Sequence, residues 1–331
     1  LFGFLGAQDR LDLNGDGQED LLWYDAGRGL TVAWLMNGQS VVGGRSLLEH
    51  PSLKVVGTPD LDGDGKSDLL WYSRVTGETV AWLMDGDVVR VQRSLLIDPA
   101  WVPVAAPDLN GDGKDDLLWL KAGNGETAAW LMNGTQLIEG RVLLEKSSAR
   151  VLALPDLNGD GQTDLVWHDD ATGRTFGWLM NGLSVLRQAD LLVSPVFKPV
   201  GTPDLDGDGN SDLLWYGAST GQTVAWLMTG LDYRDGRVLV QSQDVQVIGT
   251  PDLNGDGKSD LLWRQASNGT TVAWVMNGLA VGTGAPLYTH PTLRVVGTAD
   301  LNGDGRADLQ WYDQSTGQTL AWLMNGVNRT A

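Results

Sequence analysis

Asp12-Leu13-Asn14-Gly15-Asp16-Gly17-Gln18-Glu19-Asp20-Leu21 places carboxylates at its first, fifth and ninth positions and an amide at its third. Its two glycines give the backbone the freedom to turn tightly, so that these oxygens can converge. A hard cation such as calcium takes six to eight oxygen ligands at about 2.3–2.6 Å, and a short acidic loop is a direct way to supply them. The stretch returns six times, each copy starting 48 residues after the last. The first position is Asp12, Asp60, Asp108, Asp156, Asp204, Asp252 and Asp300. The third is Asn14, Asp62, Asn110, Asn158, Asp206, Asn254 and Asn302. The fifth is Asp16, Asp64, Asp112, Asp160, Asp208, Asp256 and Asp304. The ninth is Asp20, Asp68, Asp116, Asp164, Asp212, Asp260 and Asp308. One Asp-Gly-rich turn would mean little, but seven in strict register point to about seven calcium ions. Asp62 and Asp206 put a carboxylate where the other copies have an amide. Their loops are expected to hold the cation more tightly, unless repulsion within the empty loop dominates.

A chain of 331 residues is too long for one simple core, and a period of this length signals a solenoid or a propeller. The second copy shows the unit. Leu53 to Gly57 is a short β-type run, followed by the loop from Asp60. Asp68 to Tyr72 and Thr79 to Met84 are two further strands, separated by a turn at Thr76-Gly77. Asp85-Gly86 turns the chain into a fourth strand over Val88 to Leu95. Four short strands per copy with turn signals between them read as one propeller blade. The fold expected is therefore all-β: a seven-bladed β-propeller of four-stranded blades, with the calcium loop between the first and second strands. The blades of this single domain fall at about 1–52, 53–100, 101–148, 149–196, 197–244, 245–292 and 293–331. The third-to-fourth turns, Asn37-Gly38 and its counterparts, predict two-residue hairpins with positive φ at both Asn and Gly.

Two tryptophan columns run through every copy, one from Trp23 to Trp311 and one from Trp34 to Trp322. They could stack sugars, but large aromatics dominate packed cores, and packing between blades is the expectation. Trp101 is expected to pack as well. The net charge is −19, and 23 of the 42 acidic residues sit at the first, third, fifth and ninth positions of the loops; seven divalent cations would leave about −5. Such a charge argues against a nucleic-acid partner. No apolar run has membrane-spanning length, and no insertion is expected. The absence of cysteine removes disulfides and Cys-based zinc sites. No signal peptide is visible and the first residue is Leu, which suggests a processed or excised chain. Calcium modules of millimolar affinity suit an extracellular or cell-surface setting.

The loops partly match the EF-hand pattern, but the twelfth position is Trp in every copy and strands flank the loop, which rejects a helical EF-hand and a dockerin. The pattern D-x-[DN]-G-D-G-x-x-D-L between strands resembles the FG-GAP/VCBS repeats of integrin α-subunit propellers and of many bacterial surface proteins, over essentially the whole chain. The resemblance implies calcium held in the first loop by Asp12, Asn14, Asp16, the backbone carbonyl of Gln18, and a bidentate Asp20. It extends the seventh-position carbonyl to Lys66, Lys114, Gln162, Asn210, Lys258 and Arg306. All seven loops carry the ligands, where integrins have fewer, and the Trp-Leu-Met-Asn-Gly signature is unlike integrins, so a bacterial-type surface or secreted protein is nearer.

The function expected is an extracellular calcium-binding scaffold for adhesion or ligand binding, with a protein or glycan ligand. A lectin with repeated sites and a structural subunit are the alternatives. No enzyme is expected: His50, His168 and His290 suggest no catalytic set, and solvated loop residues are the simpler reading. The connections between blades (Glu49 to Ser52, and equivalents) vary most, and variable loops on a rigid scaffold are where binding usually lives. Lys54, Arg150, Lys198 and Arg294 share a column that a solvated rim accounts for. Three sequons begin at Asn133, Asn268 and Asn328. The last copy leaves only Val327 to Ala331 for a fourth strand, while Leu1 to Phe4 align with a connection. Blade seven is therefore expected to be three-stranded or completed by a segment from elsewhere, which would permit self-assembly.

Overall fold

The structure is a computed structural model, and it describes residues 11–331. The fold is an all-β, seven-bladed β-propeller. Among the described residues there is no helix. Five consecutive antiparallel sheets have four strands, ordered as they occur in the chain. In blade two these are Leu53–Gly57, Leu69–Ser73, Glu78–Asp85 and Val88–Ile97. The fourth strand runs two residues further than its sequence suggests. Leu70 pairs with Ala81 and Trp82 with Gln92 in register.

Alternation sorts each middle strand into two faces. Both faces are covered, so Leu69–Ser73 is buried throughout, and the run reads as continuously apolar rather than alternating. One core layer joins Leu61, Leu70 and Ala81 to Leu117 and Trp119 of the next blade. Equivalent layers join Leu214 and Ala225 to Leu261 and Trp263, and Leu262 and Ala273 to Leu309 and Trp311. Trp71, Trp119, Trp167, Trp215, Trp263 and Trp311 are at most 1 % exposed, which leaves them no surface for sugar stacking. Trp71, Trp119, Trp215, Trp263 and Trp311 each tilt against the second tryptophan of their own blade, as Trp71 does against Trp82 at 4.7 Å between centroids. The packing expectation holds for the six buried members of this column, while Trp23 is half-buried. Trp34 is the outlier of the other column, exposed at 38 %. Trp101 is half-buried against the layer of Leu117 and Trp119.

The third-to-fourth turns differ from expectation by one residue. Asn37 pairs with Ser40, so the two-residue loop is Gly38-Gln39. Gly38 has φ +57°, whereas Asn37 is not in the left-handed region. A glycine at the first centre is what a type II′ turn needs, and the asparagine becomes the last residue of the strand.

In blade seven, Leu293–Ala299, Asp308–Asp313 and Thr319–Trp322 form a three-stranded sheet. The fourth strand is reduced to Asn328–Arg329, paired with Met324–Asn325. Blade one shows three strands, Leu21–Asp25, Leu30–Asn37 and Ser40–Glu49. The segment expected to precede them, including the placement of Leu1 to Phe4, lies outside the described residues. The chain divides into two compact units. One comprises residues up to Leu154 with Gly161–Trp167 and Met180–Arg187, and the other Pro155–Asp160, His168–Leu179 and Gln188–Ala331.

Candidate metal centres

From the second copy on, each acidic loop joins the first strand of its blade to the second. In the first copy, Asp12 Oδ1 accepts the N–H groups of Gly15 at 2.8 Å and Asp16 at 3.2 Å, and Oδ2 accepts that of Gly17 at 2.9 Å. The second copy repeats this through Asp60, with Gly63, Asp64 and Gly65 as donors. The chain wraps around its own first carboxylate because Gly15 and Gly17 sit at φ +72° and +87°. A side chain at such angles carries a strain that glycine lacks. The fifth-position carboxylate then accepts the seventh-position N–H, as Asp16 does from Gln18 at 2.9 Å.

The ninth-position aspartate does something the sequence alone did not reveal. Asp116 is fully buried. Its Oδ2 accepts the N–H of Leu109 at 3.0 Å and its Oδ1 that of Met132 at 2.8 Å. The same pair of bonds is made by Asp20, Asp68, Asp212, Asp260 and Asp308. The carboxylate thus pins the loop to the third strand, where the pairing with the fourth strand slips by a residue. Burial raises these groups above the ordinary carboxylate range despite the two N–H donors. Asp68, Asp116 and Asp212 are pushed to about 7, and Asp20, Asp260 and Asp308 to about 6. A bidentate hold on a cation would use the remaining lone pairs of both oxygens.

Oxygens of Asp60, Asp62 and Asp68 lie within 4.8 Å of one another, as do those of Asp204, Asp206 and Asp208. The buried Oδ1 atoms of Asp62 and Asp206 have no hydrogen-bond partner. A carboxylate that keeps an orphaned oxygen and is clustered with two other carboxylates fits a hard cation, since like charges this close are otherwise costly. In five other loops the third position is Asn, and its amide takes up the neighbouring carboxylate: Asn14 Nδ2 donates to Asp16 at 3.0 Å and Asn254 Nδ2 to Asp256 at 3.0 Å. In the fourth loop, Asp156, Asn158 and Asp160 belong to one compact unit, and Gln162 and Asp164 to the other.

The loops also form seams. The carbonyl of Asp12 accepts the N–H of Ser67 at 2.7 Å, in the next loop. The carbonyl of Leu13 accepts that of Gly86, in the next blade's third-to-fourth turn. Both bonds recur at Asp60 and Leu61, at Asp204 and Leu205, and at Asp252 and Leu253. A β-carbon on Gly15 would meet the side chain of Lys66 at 3.2 Å, which shows how closely successive loops stack.

The histidines are not solvated loop residues. His50 Nδ1 accepts the N–H of Leu53 at 3.0 Å, and His290 Nδ1 that of Leu293 at 3.2 Å. Asp98 and Ser194 occupy the same column and accept the N–H of Ala100 and Phe197. The column is a cap for the connection between blades, and its signal was the recurrence of short side-chain acceptors. His168 is buried in the strand Leu165–Asp169, 2.8 Å from Thr175 Oγ1. The Lys54 column is partly spoken for by the preceding blade: Lys54 lies 4.9 Å over the Tyr24 ring, and Lys198 pairs with Asp170.

Blades strung on recurring acidic loops, the first six of them bonded to the blade that follows, define a β-propeller of tandem acidic-loop repeats. A sequence profile for the FG-GAP-like repeat matches residues 60–119, 108–167 and 252–311, more than half of the chain. The chain belongs to the FG-GAP-like repeat family. No curated protein sequence matches it. Among solved structures it is similar to prolyl oligopeptidase B from Galerina marginata bound to a 35mer hydrolysis and macrocyclization substrate, with TM-score 0.56 and 11 % identity. That match covers 98 % of this chain and 51 % of the other, so the chain spans about half the length of that protein. BamB from Moraxella catarrhalis matches with TM-score 0.46 and 16 % identity, over 98 % of this chain and 87 % of BamB. A chain of the nidogen/laminin complex matches with TM-score 0.44 and 15 % identity, over 80 % and 92 % of the respective chains. At these identities the likeness is one of fold alone.

Proposed function

We propose that the chain is a calcium-stabilised propeller scaffold of the cell surface or extracellular space, which presents its blade connections to a protein ligand. The observation that carries the calcium reading is the pair of orphaned, buried oxygens, Asp62 Oδ1 and Asp206 Oδ1, each within a three-carboxylate cluster. About seven ions would be held, one per loop, through the first, third, fifth and ninth positions and the seventh carbonyl. Calcium there would neutralise charge and tie neighbouring blades together, with no step of chemistry passing through it. Loops of this kind bind in the range of extracellular calcium.

The ligand surface is inferred from the connections. They vary in sequence, yet caps such as His50, Asp98 and Ser194 fix their backbone. Ile97 and Val193, at the strand ends entering two of them, are exposed at 67 % and 62 %. Variable, fixed and partly apolar loops suit protein recognition. The buried tryptophan column takes away the aromatic platforms on which repeated sugar sites would rest. A glycan array probed with the calcium-loaded chain is the test. Weak or no glycan binding is expected, whereas hits with several equivalent sites per chain would establish the lectin alternative.

A further inference from the structure

Asp62 and Asp206 stand alone among the third positions, and each has a companion 28 residues later. The fourth-strand column that holds Arg90 and Arg234 in these two copies reads Val42, Ile138, Leu186 and Gly282 in copies one, three, four and six, and Thr330 in the last. A third column changes with them. The residue before the turn glycine is Asn in the five Asn-type copies and Asp85 or Thr229 in the other two. Three positions therefore switch together within one chain.

The structure shows what joins them. In Asn-type loops the third-position amide donates to the fifth-position carboxylate, as Asn110 does to Asp112 at 3.2 Å. An aspartate cannot donate that bond. In the second copy the donor is Arg90, whose Nη1 lies 3.2 Å from Asp64 Oδ2. In the fifth, Arg234 binds both Asp206 and Asp208 through its two terminal nitrogens. The guanidinium supplies both the missing donor and one positive charge against the one added negative charge. The second and fifth loops thus carry their own cation.

Resting on the calcium reading above, we infer that Arg90 and Arg234 are tethered counter-cations that make the second and fifth loops a separate, weaker class of calcium site. Arg234 holds one oxygen each of Asp206 and Asp208, and Arg90 one of Asp64, so a calcium ion that gathers all the carboxylate oxygens of these loops must displace a positive charge. The added carboxylate on its own would favour tighter binding. The arginine reverses that advantage, because its release is a cost that the Asn-type loops do not bear, the seventh excepted, where Arg306 lies 3.3 Å from Asp304. Both arginines are about half exposed, so the effect is that of a surface ion pair, about two- to fivefold in affinity, and it shrinks as salt screens the pair.

The test follows the backbone amides of Gly65 and Gly209, the sixth-position glycines of the two loops, by NMR during calcium titration of the chelator-stripped full chain. Gly113 and Gly257 report on Asn-type loops. In the wild type, Gly65 and Gly209 are expected to titrate at higher calcium than Gly113 and Gly257. In the variant Arg90→Gln/Arg234→Gln their midpoints should fall about two- to fivefold, with those of Gly113 and Gly257 unmoved. A second variant carries Asp62→Asn/Arg90→Ile and Asp206→Asn/Arg234→Leu, borrowing the residues of copies three and four. All four glycines should then titrate together. Midpoints that coincide in the wild type, or that stay or rise in the Arg→Gln variant, would overturn the inference while leaving the calcium scaffold standing. If no glycine responds to calcium in any chain, the calcium reading fails, and this inference with it.

Discussion

The N–H of Gly86 donates to the carbonyl of Leu13 at 2.7 Å, so the hairpin of the second blade hangs on the acidic loop of the first. Leu13 itself is fully buried, and its own N–H is held by Asp20 at 2.8 Å. The loop is therefore part of the joint between blades, and whatever orders the loop orders the joint. Calcium should accordingly be felt as global stability.

For a dissociation constant of about 0.1–1 mM and about 1 mM free calcium, linkage gives roughly 0.4–1.4 kcal/mol per site. Seven sites would contribute about 3–10 kcal/mol, comparable with the stability of a whole domain. Stripping the metal should lower the melting temperature by about 4–14 °C. An unchanged melt after confirmed metal removal would contradict a structural role.

The ninth-position aspartates set a pH dependence. Burial holds Asp68, Asp116 and Asp212 at about 7, against about 3.9 in an unfolded chain. Between these values the folded, metal-free protein binds protons that the unfolded chain does not. The contribution of these groups is fully present below about pH 4 and is lost as pH rises through about 7. Calcium selects the ionised form and so acts in the opposite sense. The rise in melting temperature on adding calcium should be larger at pH 8 than at pH 5.5. An equal or larger rise at pH 5.5 would show that these carboxylates are not coupled to the metal.

Asp116→Ala would leave the N–H groups of Leu109 and Met132 without acceptors in a buried place. Each should cost about 1–3 kcal/mol, and the loss should appear in chemical denaturation even without calcium. Asp112→Ala, at an exposed loop residue, should leave the metal-free stability nearly unchanged and weaken only the calcium response. Equal effects of the two substitutions without metal would refute the division between pinning and ligating carboxylates.

Arg264 is 9 % exposed, and its guanidinium donates to the carbonyls of Leu293 at 2.9 Å and of His290 and Pro291 at 3.2 Å. Burial lowers its affinity for its proton, and these carbonyls compensate part of that cost. Arg264→Leu should destabilise the chain by about 1.5–3 kcal/mol with calcium binding in the second loop unaffected. A silent substitution in a urea melt would show that the three carbonyls are satisfied otherwise.

The blades were legible in the sequence because three independent signals share one period: the Asp-Gly loop, the turn glycine and the paired tryptophans. Strand order followed from the short connections. The role of Asp116 was hidden because its partners are backbone groups, one of them 16 residues away at Met132, and no side-chain pattern marks a bond to an N–H. The turn centres were misjudged by one residue, since Asn37-Gly38 carries the hairpin signal whichever of its residues ends the strand. His50 looked solvated because its column also holds Asp98 and Ser194. Side-chain acceptors at a turn are caps more readily than they are surface. The pairing of Arg234 with Asp206 could have been found from the sequence, by comparing columns 28 residues apart.

Equilibrium dialysis of the chelator-stripped chain against calcium tests the central claim most directly. Uptake approaching about seven ions per chain at saturation is expected, with the seven sites all emptied by chelation. Saturation at one or two ions, or none, would contradict a propeller whose acidic loops are its metal centres.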